Sequence, residues 1–394
     1  MNLPKYYEFL NPVKIVAGYK ALENLPYELG LLSVQKPLII TDPGIVTAGL
    51  LEILERAFDD SLVRIGAIFD QTPRDSSVDA VNLIARLFKS HGCDCIVALG
   101  GGSVTDTAKG VNILVSTGVA DLLELSGSDR LAQTLLPLVV IPTTSGTGSE
   151  VTSVAVISDT HKGVKLPFAS PYILPRLAIL DPRMTLGLPP AITAATAMDA
   201  LTHAVEAFTC LQKNPMSDAY ALSAIELIRT NLYTAVQNGK NESARFALAN
   251  ASLMAGVSFS NSMVGGVHAL GHALGAQAHV PHGLAMAILL PHVMQFNLDK
   301  MADAYAKLLL SLAGEDVFAR TPKEARAQAA INTIHEMNTV LHKLCGHPTR
   351  LADAKVSRDL LPVIAQCALD DGAMITNPKA INYEQALSIL KTAY

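Results

Sequence analysis

Hydrophobic positions divide the chain into two halves with different periods. In the first half, short β-branched and aliphatic runs at Pro37–Thr41, Val63–Phe69, Cys95–Leu99 and Leu136–Ile141 read as strands. Between them, Leu50–Phe58, Val78–Lys89 and the stretch from Gly100–Gly102 to about Val115 carry apolar residues at helical spacing, the 3.6-residue period of one buried face. This β-α-β-α rhythm predicts a mostly parallel sheet covered on both faces. Val151–Ile157 and Lys165–Phe168 flank a turn around Asp159–Gly163 and read as a hairpin appended to that sheet.

After Asp181 the period changes. Asp181–Pro190, DPRMTLGLPP, is rich in Pro and Gly and reads as a link. From Ala191 onward the spacing is helical, with no convincing strand. The pattern therefore predicts an α/β domain over residues 1–185 and an all-α domain over 186–394. From Phe246 to Leu298 there is not one Asp, Glu, Lys or Arg. Asn250, Ser252, Ser258, Asn261, Ser262 and several histidines keep interrupting that stretch, so it reads as helices buried inside a soluble protein. A membrane span would need about 20 predominantly apolar residues in a row.

Composition narrows the function classes. The 394 residues are 50% hydrophobic and only 16% charged, which excludes intrinsic disorder. The net charge is −5, and no dense Lys/Arg cluster is present, so nucleic acid is not an expected partner. The five cysteines are odd in number and show no disulfide or CxxC spacing. Buried free thiols in a reducing cytosol are the expectation. The N-terminal residues MNLPKYYEFLNP lack the basic-then-apolar pattern of a signal peptide.

The chargeless stretch holds five histidines: His268, His272, His279, His282 and His292. Upstream, Asp199 and His203 stand four apart on a predicted helix and so share a face, with Glu206 one further turn along. His268 and His272 repeat the four-residue spacing, and Pro281 turns His282 back toward them. Imidazoles with one carboxylate and no thiolate predict a divalent-cation site, and they suit Fe²⁺, Zn²⁺, Mn²⁺ or Co²⁺ alike. Few protein ligands would leave a position for a substrate oxygen.

Two small-residue loops follow predicted strands. Gly100, Gly101, Gly102 and Ser103 open a helix, and their backbone N–H groups can approach a phosphate at its positive end. The sequence is neither GxGxxG nor a P-loop. Ser103 with Asp106 three residues on predicts a helix cap. Pro142–Glu150, PTTSGTGSE, is the second loop and offers hydroxyls without bulk. Ligands of open α/β sheets bind beyond the strand C-termini, so two such loops suggest an elongated phosphate ligand. Asp42, after the first strand, stands where a carboxylate could accept from ribose hydroxyls and repel a 2′-phosphate, or where it simply serves the turn before Pro43.

Together these motifs resemble the iron-containing (group III) alcohol dehydrogenases across nearly the whole chain. The resemblance rests on LGGGSVTDTAKG, PTTSGTGSEVT, the DP…LPP link, AATAMDALTHAVEA, GGVHALGHALGA and HVPHGLAMAILLPHV, in that order. It implies a dehydroquinate synthase-like fold: a nucleotide-binding α/β domain, a helical metal-binding domain, and catalysis in the cleft between them. It implies Asp199, His203, His268 and His282 as metal ligands and Gly100, Gly101, Gly102 and Ser103 around a pyrophosphate. Thr143, Thr144 and Thr147 would line the cofactor, with Asp106 and Lys165 nearby and Asp42 favouring NAD(H). His272 matches a histidine beside the metal that is discussed in catalysis. His279 matches no ligand position and reads as a supporting or core residue. The implied reaction is Fe²⁺-assisted hydride transfer between NAD(H) and a small primary alcohol or aldehyde, in a cytoplasmic homodimer or larger assembly joined through Tyr6–Gly18.

Two positions depart from the family pattern. FDQTPRDS, Phe69–Ser76, replaces a common Pro-x-Pro, and Val154 stands where diol-oxidising members carry Asn. Three other uses of the residues are glycerol oxidation, a cyclising elimination on the same fold, and a metallohydrolase. The elimination would need basic residues converging on a polyanion near His268, and none is present. A hydrolase would leave both glycine-rich loops unexplained.

Overall fold

The computed structural model describes residues 4–160 and 164–394. The chain forms two compact units. One is Asn11–Gly187; the other is Leu188–Tyr394 together with the N-terminal segment that ends at Leu10. The sequence reading assigned those first residues to the α/β domain. Instead Asn261 holds the segment: its Oδ1 accepts from Leu10 N at 2.6 Å and its Nδ2 donates to Leu10 O at 3.1 Å, while Phe9 stacks on Tyr220.

The α/β unit is built on β1 (Lys14–Ala17), β2 (Pro37–Ile40), β3 (Ala67–Phe69), β4 (Cys95–Gly100), β5 (Gly127–Ser128), β6 (Leu138–Pro142), β7 (Val154–Asp159), β8 (Val164–Ala169) and β9 (Leu177–Leu180). Six of them make one sheet in the order β1-β9-β6-β4-β2-β3, and every neighbouring pair in it is parallel. Both faces are covered, so alternate residues of one strand enter different cores. Ile96 and Ala98 of β4 pack with α4 (Val78–His91) and α5 (Gly102–Thr117). Cys95, Val97 and Leu99 pack with α1 (Leu25–Leu31) and α3 (Leu50–Arg56). That two-sided burial explains why the strands read as unbroken apolar runs.

Two expectations need correction. The predicted strand Val63–Phe69 shrinks to three residues. Gly66 passes so close to its neighbours that a Cβ would lie 2.8 Å from Cys93 Sγ and 3.2 Å from Lys36 O. Although Arg64 N and Gly66 N donate to Gln35 O and Pro37 O, Gln35 N is taken by Asp94 and Pro37 has no N–H, so no bonds return. The hairpin β7–β8 is antiparallel as expected, but it joins β5 in a separate three-stranded sheet. Residues 161–163 of its predicted turn lie outside the described residues.

The second unit carries helices and no strand among the described residues: α6 (Pro190–Thr209), α7 (Pro215–Gln237), α8 (Glu242–Ser260), α9 (Gly266–Ala278), α10 (His282–Ala313), α11 (Glu315–Arg320), α12 (Arg326–Cys345), α13 (Leu361–Leu369) and α14 (Tyr383–Thr392). Helix α6 is buried nearly all round from Thr193 to Thr209 and packs against α7, α8 and α10. An all-round buried helix has no need of a polar face, so the few polar side chains on it have another task. Among the described residues, no helix is long and apolar enough to cross a membrane.

Candidate metal centre and nucleotide loops

Asp199 and His203 stand one turn apart on α6, His268 lies on the first turn of α9, and His282 opens α10. One ligand atom from each lies within 4.8 Å of all the others. Asp199, His203 and His268 are buried, whereas the His282 side chain is 40% exposed and leaves the group open on its side. His282 Nε2 is 3.3 Å from Asp199 Oδ1. Gly283 makes that approach available, because a Cβ there would lie 2.3 Å from the backbone oxygen of Ala195 on α6. His203 is sandwiched between Phe259, with ring centroids 4.2 Å apart, and His268, at 4.5 Å.

Electrostatics prepares these groups for a cation. Burial pushes the His203 imidazole down to about 3, against the pull of Asp199. Burial, with the neighbouring His282 and His272, holds His268 well below its usual value. Burial alone would raise Asp199, but His203, His282 and His268 outweigh it and hold the carboxyl below the usual carboxylate range. His203 and His268 are thus neutral imidazoles beside one anion, the protonation states a divalent metal requires. His268 Nε2 is buried with no hydrogen-bond partner, and Asp199 Oδ1, also buried, meets only the 3.3 Å contact from His282 Nε2. Buried polar atoms without partners are rare, and a cation coordinated by this group accounts for both. The residues fit a metal.

Carboxylates hold two of the imidazoles. Glu206 Oε2 lies 2.5 Å from His268 Nδ1, and its Oε1 accepts from Val267 N at 2.7 Å. Burial raises Glu206 to about 7, with the backbone N–H groups of Gly265, Val267 and His268 opposing. Asp371 Oδ2 lies 2.8 Å from Nδ1 of His272, and its Oδ1 caps Ala373 N at 2.8 Å. His272 itself stacks on His282, with centroids 5.4 Å apart, and its side chain is 45% exposed. Glu206 is visible in the sequence as a face-mate of His203. Asp371 carries no local signal that links it to a histidine 99 residues away. Neither does Gly283, which reads only as the end of a turn.

The remaining two histidines of the stretch do not join the group. His279 is exposed and takes a left-handed backbone, φ 54°, where α9 ends. It therefore terminates a helix and is not a core residue. His292 faces His335 edge-on, with centroids 5.4 Å apart.

In the α/β unit the loops after β2, β4 and β6 lie at neighbouring strand ends. Strand order reverses between β2 and β4, because β3 adds beyond β2 on one side and β6 beyond β4 on the other. Ligands of open sheets bind at such a switch point, beyond the strand C-termini. Thr41 Oγ1 donates to Leu99 O at 2.8 Å and Thr143 N to Gly100 O at 3.1 Å, so the three loops are tied together. A Cβ on Gly101 would lie 3.2 Å from Thr144 Oγ1, and one on Gly102 would lie 3.0 Å from Thr147 Cγ2. The two small-residue loops therefore pack against each other. Helix α5 starts at Gly102 with no side-chain cap on its first turn, leaving its N–H groups and dipole to an anion.

The other nucleotide-side residues have defined partners. Asp42 accepts from Gly44 N and Ile45 N, capping the short helix α2 (Pro43–Thr47) at the end of β2. Ser103 donates to Arg74 O and its own carbonyl accepts from Ser76 Oγ. The expected Ser103–Asp106 cap is absent, because the helix starts at Gly102, two residues earlier than that cap requires. Asp106 accepts from Ser149 Oγ at 3.0 Å and Val156 N at 3.1 Å. Burial raises its pKa, while Lys109, Val156 N, Ser149 and Lys165 oppose. Lys165, on the exposed side of β8, pairs with Asp75 at 2.8 Å. Sequence reasoning missed Lys109, whose buried Nζ donates to Ser149 Oγ, Thr152 O, Thr152 Oγ1 and Val154 O. Burial pushes Lys109 down to about 8.

Comparison with known proteins agrees with this construction. Residues 12–182 match the iron-containing alcohol dehydrogenase family, and residues 193–394 match the C-terminal part of the Fe-containing alcohol dehydrogenase family. The chain belongs to the iron-containing alcohol dehydrogenase family. It is an alcohol dehydrogenase, an oxidoreductase acting on CH–OH groups. It is 37% identical over 396 residues to the 1,3-propanediol dehydrogenase of Klebsiella pneumoniae, covering 99% of each chain. Over 377 residues it is 34% identical to alcohol dehydrogenase 4 of Saccharomyces cerevisiae, covering 96% of each. Among solved structures, a 1,3-propanediol oxidoreductase superposes with a TM-score of 0.94 at 36% identity, over 99% of this chain and 100% of that one. Sulfoacetaldehyde reductase from Bifidobacterium kashiwanohense, in complex with NAD⁺, superposes with a TM-score of 0.86 at 25% identity, over 99% of each chain.

Proposed function

We propose that this protein is an NAD(H)-dependent, Fe²⁺-dependent dehydrogenase that interconverts a small primary alcohol and its aldehyde. The observation that carries the metal half is the convergence of Asp199, His203, His268 and His282 within 4.8 Å. When bound, the metal supplies Lewis acidity toward the substrate oxygen and the nicotinamide supplies or takes the hydride. Asp199 contributes the negative charge, and the three imidazoles contribute neutral nitrogen donors. Zn²⁺ or Mn²⁺ would suit the same donors. The half-exposed edge at His282 and His272 is the side from which a small alcohol would enter.

His272 is the candidate group for the proton. Its Nδ1 is committed to Asp371, so its Nε2 is the nitrogen left to accept or return a proton. In the α/β unit, Gly100, Gly101, Gly102 and the start of α5 would hold the pyrophosphate through backbone N–H groups, with Thr143, Thr144 and Thr147 alongside. Asp42 would accept from the ribose and disfavour a 2′-phosphate, giving preference for NAD(H) over NADP(H).

Anaerobic NADH oxidation by Fe²⁺-loaded protein tests the reading, with acetaldehyde, lactaldehyde, 3-hydroxypropionaldehyde and sulfoacetaldehyde as substrates. Turnover that a chelator abolishes is the expected result. Metal-loaded protein that binds no NADH and oxidises none with any aldehyde would defeat it. A homodimer in the cytoplasm is part of the same proposal. Tyr6 is 76% exposed, and β1 is an edge strand paired only with β9; both lie in the segment Tyr6–Gly18. A monomeric mass by light scattering would refute the dimer.

A further inference from the structure

We propose that Glu206 is the positioning residue that fixes which nitrogen His268 offers to the metal, and that it thereby sets metal affinity. The inference rests on the metal-binding reading above. Glu206 is buried one turn beyond His203 on α6, and both its oxygens are spent on α9. Beside a bound divalent cation the Glu206 carboxyl is ionised and can only accept, so the 2.5 Å contact then places the proton of His268 on Nδ1. The lone pair then sits on Nε2, which is the buried nitrogen without a hydrogen-bond partner. With the opposite tautomer, Nε2 would carry a proton and could not ligate, and Nδ1 would turn a lone pair on a carboxylate.

The same carboxylate also fixes where the ring stands. Its Oε1 takes Val267 N, so the residue just before His268 is tied to α6. Gly265 admits this, because a Cβ there would lie 3.1 Å from Glu206 Oε1 and 3.0 Å from Asn377 Oδ1. Asn377 Oδ1 takes Gly266 N at 3.1 Å from the other side. The first turn of α9 is thus held between two side-chain acceptors, and His268 cannot shift without losing one. Asp371 and His272 form a similar pair on the same helix, but His272 is outside the four-residue group, which makes it a matched control.

The test is the dissociation constant for Zn²⁺ of metal-stripped full-length protein, by competition with a chromophoric chelator, for wild type, Glu206→Gln and Asp371→Asn. Glutamine has one acceptor for two N–H donors, so Glu206→Gln should weaken Zn²⁺ binding by about 10–100-fold. Asp371→Asn removes a nearby charge but no tie to a donor, so it should weaken binding by far less than Glu206→Gln. Near-UV circular dichroism and the thermal midpoint of the metal-free proteins separate a merely structural role, which would lower the midpoint and leave the Zn²⁺ constant of folded protein alone. A folded Glu206→Gln that binds Zn²⁺ as tightly as wild type overturns the proposal and leaves the metal site standing. Wild type that binds no Zn²⁺ overturns both. Should Glu206→Gln fail to fold, ¹⁵N spectra of zinc-loaded wild type decide. A proton on Nδ1 of His268 with zinc on Nε2 is expected, and the reverse assignment overturns the proposal.

Discussion

The two units build their candidate ligand sites by opposite means. In the helical unit the site is made of side chains: four donors on three helices, one of them held by Glu206, with Asp371 holding the adjacent His272. In the α/β unit it is made of backbone, and the glycines serve by what they lack. The ionisable groups follow the same division. Burial in the helical unit leaves imidazoles neutral and one aspartate charged, ready for a cation. Burial in the α/β unit is answered locally, since Lys109 finds four oxygen acceptors and Asp106 two donors. The lesson is that a buried charge with its partners present is structural, whereas metal-ligand side chains that converge in a buried group mark a ligand site.

The largest effect should come from the metal donors. Replacing Asp199 or His268 by Ala should abolish metal retention, measured by elemental analysis. It should also cost several kcal/mol of transition-state stabilisation, more than about 10³-fold in kcat/KM. NADH binding, followed by fluorescence, should persist, and its parallel loss would break the division between the units. Gly283→Val belongs with these variants. It adds no chemistry, but its side chain would collide with Ala195 O and displace His282.

A smaller effect is expected at the proton. His272→Ala should keep the metal and lower kcat by about 10²-fold. A wild-type rate and pH profile in that variant would remove His272 from the mechanism. Smaller still is the backbone cradle. Gly102→Val overpacks against Thr147, a cost of about 1–3 kcal/mol, so the NADH dissociation constant should rise by about 10–100-fold. Zn²⁺ affinity in the same protein should not change, and an equal loss of both would contradict the separation.

The smallest effect concerns stability and pH. Burial, with His335 and His342 respectively, holds His292 and His347 in the helical unit down at about 4. The unfolded chain binds these protons near pH 6.5 and the folded chain only near 4, so stability falls as pH drops through that window. In the α/β unit, burial raises Glu150 to about 7, so its contribution runs the other way and falls as pH rises from about 4.5 to 7. Between pH 7 and 5 each histidine removes about 2 kcal/mol and Glu206, raised like Glu150, restores about 2, so hydrogen exchange should show helical-unit amides losing protection first, by about 2 kcal/mol net. Earlier loss in the α/β unit would contradict that assignment.

Much of this was legible where the physics is local. Strands β4 and β6 announce themselves because residues buried on both faces read as continuous apolar runs. Asp199 with His203, and His268 with His272, are paired by the pitch of a helix alone. The short strands β1 and β9 pass unnoticed; β1, only half-buried at the sheet edge, carries no continuous apolar run. The hairpin β7–β8 is recognised, but its partner β5, two residues long, is not.

By itself, then, the sequence determined the two-part architecture, the glycine loops and the families of candidate ligands, because each follows from spacing within one element. Tertiary structure alone decided which histidines converge. His282 joins Asp199 because Gly283 lets α10 approach α6, and His279, three residues earlier, ends a helix in the open. It also decided the roles of Glu206 and Asp371, which meet their imidazoles across 62 and 99 residues of chain. Hydrogen bonds of that range are set by how helices pack, and packing is a property of the whole core that no local spacing encodes.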